Sequence, residues 1–116
     1  MIVQREAMRT EIKEHMRGGE GNVHFTYFVP NDTEKNARML AELSLAPGAS
    51  IGYHQHDNET EYFIFIAGTG VLIDNGEERP IKAGDVMITG NGGAHSVENT
   101  GAVPLVFNAI IVTHQE

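Results

Sequence analysis

Two short stretches of this chain hold the residues with the richest chemistry. In "GYHQHDNETEYFIFIAG", residues 52–68, His54 and His56 stand two apart, so on a strand both imidazoles project from one face. Neutral imidazole is the commonest metal ligand, and a pair on one strand is partly organised for chelation. Glu61 opens the apolar run that follows, and the turn "DNET" can fold it back beside the histidines. His95 comes much later, behind "GNGGA". A carboxylate and imidazoles brought from separate strands to one interior make a credible site for a divalent transition metal. Glu59, two residues before Glu61, is the competing acid: a ligand in its place, a supporting acid behind it, or a solvated loop carboxylate. His15, His24 and His114 stand alone and read as surface or hydrogen-bonded residues.

Strands must position these groups. From "NVHFTYFVP" onward, runs of about five to eight residues alternate with turn signals such as "PND", "APGAS", "AGTG", "KAGD" and "NTG". Asn75-Gly76 is a hairpin signal, because a type I′ turn needs positive φ twice. Many short strands at steady spacing, with little helix, imply an all-β antiparallel sandwich or barrel, and a jelly roll is the natural small version. Residues 1–22 differ in character. Met8, Ile12 and Met16 recur at helical spacing before "RGGEG" breaks the pattern, so the segment is a helical turn or an extended arm. The runs at 62–67, 86–88 and 105–112 are apolar on both faces, which demands a cover over the outer face: the arm, or a second subunit in a homodimer.

Composition narrows the partners. The chain has 116 residues, enough for one domain, and its 16 acids against 8 bases give a formal charge of −8. A phosphate backbone would be repelled, so nucleic acid is not an expected partner. With no cysteine, neither disulfides nor thiolate metal sites are available. The start lacks the apolar core of a signal peptide, and the longest apolar run, "YFIFIA", is too short to cross a bilayer. A cytoplasmic location without membrane attachment is the default expectation.

The two stretches together resemble the signature motifs of the cupin family. The first runs Gly48, five residues, His54-Gln55-His56, four residues, Glu61, six residues, Gly68. The second runs Gly84, five residues, Gly90-Asn91-Gly92, two residues, His95, three residues, Asn99. It departs once, since the family usually has proline where Gly90 stands. The resemblance implies a double-stranded β-helix, the jelly-roll cupin barrel, over residues 23–116 behind an N-terminal arm over 1–22. It also implies one divalent transition metal per subunit, held by His54, His56, Glu61 and His95. The mixed nitrogen and oxygen donors favour manganese or iron; nickel, copper and zinc fit the same set. Asn99 sits at "NTG" and reads as a turn residue. Gly48, Gly68 and Gly84 read as corners.

One short arm before one barrel resembles small bacterial single-barrel cupins often called oxalate-decarboxylase-like. In the family's decarboxylases, an arginine three residues before the first metal histidine grips the substrate carboxylate. Here that position is Ile51, which cannot pair with an anion, so oxalate decarboxylation is not the expected reaction. The expected activity is a metal-dependent conversion of a small organic substrate, of dioxygenase, decarboxylase or isomerase type. The alternative is a non-catalytic barrel that binds or senses a small molecule. Phe63 and Phe65, of matching parity with Glu61, are expected to line an apolar pocket, and Tyr53 to point away from it. No catalytic acid or base is named.

Overall fold

A computed structural model describes residues 1–29 and 34–114. Its strands are β1 (Thr10–Glu14), β2 (Asn22–Tyr27), β3 (Ala37–Leu45), β4 (Ser50–Gln55) and β5 (Glu59–Ala67), followed by β6 (Thr69–Asp74), β7 (Glu77–Lys82), β8 (Val86–Gly90), β9 (Ala94–Glu98) and β10 (Leu105–Thr113). All pair antiparallel in two sheets, ordered β1-β2-β3-β10-β5-β8 and β4-β9-β6-β7. The expected all-β jelly roll is thus the observed fold. The turn expected at "PND" lies outside the described residues.

Alternation decides which faces meet. Val23 and Phe25 of β2, Leu43 and Leu45 of β3, and Leu105 and Phe107 of β10 are all buried at period two. The sheet-to-sheet core is aromatic at its centre, with the Phe107 ring centroid 4.4 Å from that of Phe63 and 5.1 Å from that of Phe65. On β5 the inward positions change character along the strand, from Glu59 and Glu61 at one end to Phe63 and Phe65 at the other. One strand thereby spans the chemical site and the apolar core.

The hairpin at Asn75-Gly76 forms as expected, with φ of 49° and 84° joining β6 to β7. The N-terminal segment resolves the other way from its helical spacing. Thr10–Glu14 is extended and pairs with β2 from Thr10↔Thr26 to Glu14↔Asn22, because an open strand edge offers hydrogen bonds that a short isolated helix lacks. Only short 3-10 turns, Arg5–Ala7 and Met16–Gly18, flank it. This arm lengthens the sheet at the edge opposite β8. It therefore leaves the outer face of β5 and β8 uncovered, where Ile64, Ile66, Val86 and Ile88 are exposed.

Candidate metal centre

His54 belongs to β4, His95 to β9 and Glu61 to the opposing sheet, while His56 lies one residue past β4. His54 and His95 are directly paired across the strands. A bulge on β4 between Ile51 and His54 inserts one residue against β9. The extra residue lets Ile51, His54 and His56 all face inward, while Tyr53 is 53% exposed as expected. The loop after β4 is pinned by His56 N–H donating to Gly93 O at 2.9 Å and Gly92 N–H donating to His56 O at 2.8 Å.

The four side chains converge, and one ligand-type atom from each lies within 4.8 Å of all the others. His56 Nε2 is 3.1 Å from His95 Nε2, which is 3.2 Å from His54 Nε2. Glu61 Oε1 is 2.9 Å from the Nε2 atoms of both His56 and His95. His56, His95 and Glu61 are buried, and His54 is half-buried.

The outer ring nitrogens establish what these close approaches are. His54 Nδ1 donates to the Gly52 carbonyl at 2.7 Å, and His56 Nδ1 donates to the Glu59 carboxylate. His95 Nδ1 lies 2.8 Å from Met87 Sδ and 3.0 Å from Thr89 Oγ1, both able to accept its hydrogen. Each ring therefore carries its hydrogen on Nδ1 and turns the Nε2 lone pair inward. Glu61 Oε1 has no hydrogen-bond partner despite its burial. Four lone pairs thus face one point. Such an arrangement is repulsive by itself and becomes favourable around a cation.

Without a cation, electrostatics favour a proton on His56 beside Glu61, in the place an ion would take. Glu61 beside it holds the His56 pKa above the ordinary imidazole range. Burial drives the His54 pKa down, keeping that ring neutral. Burial also pushes the Glu61 carboxyl upward, yet His56 and His95 outweigh it and the net shift is downward.

Glu59 lies outside the four-residue cluster and is not a solvated loop carboxylate. It is buried and accepts Arg38 Nε and Nη2, each at 2.7 Å, besides orienting His56. The bidentate Arg38 contact is the main reason its pKa falls to about 2. This Arg38–Glu59–His56 relay had one sequence signal, inward parity with Glu61 on β5. Its cation lies 21 residues upstream and was not foreseen. Asn99 does more than turn the chain: it is buried, and its amide donates to Leu45 O at 2.8 Å and Val103 O at 2.9 Å. His15, His24 and His114 lie outside the cluster. Gly90, where the family's proline is missing, approaches β5 so closely that a Cβ would stand 2.6 Å from Thr60 Oγ1.

A cavity of about 320 Å³ opens from the cluster, with His54, His56 and Glu61 in its lining. Ile51 and Phe63 form part of its apolar wall, while Phe65 does not reach it and packs on Phe107 instead. Position 51 thus faces the ligand space, as the decarboxylase comparison requires, but carries no charge. Three cations line the same cavity: Lys13, Arg17 and Arg38. Sequence reasoning missed all three.

Two facing antiparallel sheets with three histidines and a glutamate converging at one end define a jelly roll whose inner cluster could hold a metal ion. The chain belongs to the cupin family: residues 41–113 match the cupin domain. It is 42% identical over 113 residues to the oxalate-binding protein of Thermotoga maritima, covering 97% of this chain and 93% of that protein. Among solved structures, it is similar to a predicted oxalate decarboxylase from Thermotoga maritima, with a TM-score of 0.91, 40% identity, and coverage of 97% and 99% of the two chains. A polyketide cyclase from Streptomyces resistomycificus shares the fold alone, at TM-score 0.77 and 14% identity, covering 99% and 80% of the two chains. No helix among the described residues is long and apolar enough to cross a membrane.

Proposed function

We propose that this protein binds a small organic acid, of which oxalate is the type, at one divalent transition metal held by His54, His56, Glu61 and His95. The inward convergence of three Nε2 lone pairs and an unpartnered carboxylate oxygen carries this reading. Ligand atoms about 2.0–2.2 Å from a metal stand about 2.8–3.1 Å apart at right angles and about 3.3–3.6 Å apart at tetrahedral angles. The separations of 2.9, 3.1 and 3.2 Å suit donors gathered on one ion, and the mixed nitrogen and oxygen set suits manganese or iron. When bound, such an ion would offer Lewis-acidic positions to a carboxylate oxygen. The protein's part is to fix the donors, exclude bulk water with Ile51 and Phe63, and confine the ligand.

Binding stands ahead of turnover. Glu61 is the one carboxylate lining the cavity among the described residues, and as a ligand it is committed; Glu59 is locked between Arg38 and His56. Among the described residues, no uncommitted carboxylate is left in the cavity lining. The name of the Thermotoga maritima relative supports the same choice of ligand. Isothermal titration of oxalate into manganese-loaded protein is expected to show one site per chain and no heat without metal. Recovery of oxalate unchanged after long incubation under air distinguishes binding from conversion.

Glu59 supports the centre through His56, and partners of this kind typically contribute 10–100-fold to metal affinity. Glu59→Gln is therefore expected to weaken manganese binding by about 10–100-fold without loss of fold, as read by metal titration and circular dichroism.

We further infer a homodimer through the outer faces of β5 and β8. Ile64, Ile66, Val86 and Ile88 are 38%, 49%, 55% and 60% exposed there, and the arm lies at the opposite sheet edge. Sedimentation equilibrium is expected to give twice the 12.7 kDa chain mass. The double variant Val86→Lys, Ile88→Lys is expected to sediment as a monomer.

A further inference from the structure

We propose that the N-terminal arm is the anion-selecting wall of the ligand cavity, with Lys13 and Arg17 supplying the positive charge that position 51 lacks. The inference rests on the binding function proposed above and assigns its selectivity to residues outside both signature motifs.

The arm is built inside-out for a purely structural strand. Lys13 pairs with Val23 and Ile12 with His24, so Lys13 shares the inward face while Ile12 is turned to solvent, 57% exposed. An edge strand selected for burial alone would have the reverse pattern. Lys13 Nζ lies 4.5 Å from the centroid of Phe25, another lining residue, which holds the ammonium at the cavity wall.

Arg17 is placed at some backbone cost. It adopts φ 55°, and His15 before it φ 48°, conformations that ordinary residues avoid. The segment is held against β4 by close backbone approach. A Cβ on Gly52 would lie 1.9 Å from Arg17 O, and one on Gly19 would lie 2.1 Å from Ser50 O. Reciprocal hydrogen bonds fasten it further, Ser50 N–H to Glu20 O at 2.9 Å and Glu20 N–H to Ser50 Oγ at 2.8 Å. The turn carrying Arg17 is therefore clamped to the strand that carries His54.

Charge gives the arrangement its meaning. Only 8 residues of this acidic chain are Lys or Arg, and Lys13, Arg17 and Arg38 line this one cavity. Arg38 is neutralised by Glu59. Among the described residues, neither Lys13 nor Arg17 makes an ion pair, so both charges remain available to an entering carboxylate.

The test uses the manganese-loaded protein, oxalate and its singly charged analogue oxamate. Lys13→Gln and Arg17→Gln are each expected to weaken oxalate binding about 10-fold, and the double variant about 100-fold. Manganese affinity, measured separately by titration, is expected to stay within about twofold, and the preference for oxalate over oxamate to narrow. Arg79→Gln, on the opposite sheet, is the charge control and is expected to leave oxalate affinity unchanged. Wild-type binding of oxalate with the glutamine variants within twofold overturns this inference and leaves the binding function standing. Loss of manganese and oxalate affinity together overturns it too, by making the arm a structural prop. Failure of the wild-type, manganese-loaded protein to bind oxalate at all overturns both.

Discussion

Replacing His95 by alanine is expected to lower affinity for manganese or iron by more than about 100-fold, beyond the loss typical of a supporting partner. His95 is the hub of the cluster. Its Nε2 lies 3.1 Å from that of His56, 3.2 Å from that of His54 and 2.9 Å from Glu61 Oε1. Its ring is fixed by Thr89 and stacks on Phe63 at 5.1 Å, so no neighbouring group can swing in to replace the lost donor. The metal-free fold should survive the change, because deleting the ring relieves lone-pair repulsion while losing the Phe63 contact. Thermal unfolding separates the two effects. Wild-type protein should gain about 2.7 kcal/mol of stability at metal concentrations 100-fold above Kd, and the variant should lose most of that gain. An equal metal-induced rise in Tm in both proteins would remove His95 from the centre.

Phe107→Ala is expected to destabilise the protein by about 3–5 kcal/mol, which for a chain of this length lowers Tm by roughly 10–25 °C. Phe107 has no exposed surface and lies on β10, which is paired on both sides, to β3 and β5. Its ring contacts Phe63 and Phe65, so truncation leaves a cavity in the centre of the sandwich that strands fixed on both edges cannot close. Phe63 also stacks on His95, which connects this cavity to the metal centre. A secondary loss of metal affinity is expected to accompany the loss of stability. Equilibrium urea unfolding measures the first quantity, and a change below about 1.5 kcal/mol would show that the core repacks around the site.

The parts of the centre that were readable in the sequence are those governed by strand parity and short spacing. His54 and His56 share a face because side chains alternate, and Glu61 follows them by one turn. His95 was identified through its motif, and the cross-strand pairing His54↔His95 supplies the physical basis. What sequence could not convey depends on contacts between distant segments. The Arg38–Glu59–His56 relay requires the starts of β3 and β5 to lie level on either side of β10. Lys13 and Arg17 reach the cavity because the arm docks as a strand on β2, and the spacing of Met8, Ile12 and Met16 suggests a helix instead. Local periodicity lost to the hydrogen bonds of an open edge. The β4 bulge had no clearer signature than Gly52, yet it is what turns Ile51 inward.

The most direct measurement is elemental analysis of protein produced without a histidine tag and supplied in turn with manganese, iron, nickel, copper and zinc. A filled centre predicts close to one ion per chain, falling toward zero in His95→Ala. A wild-type metal content near zero under every ion supplied would contradict it.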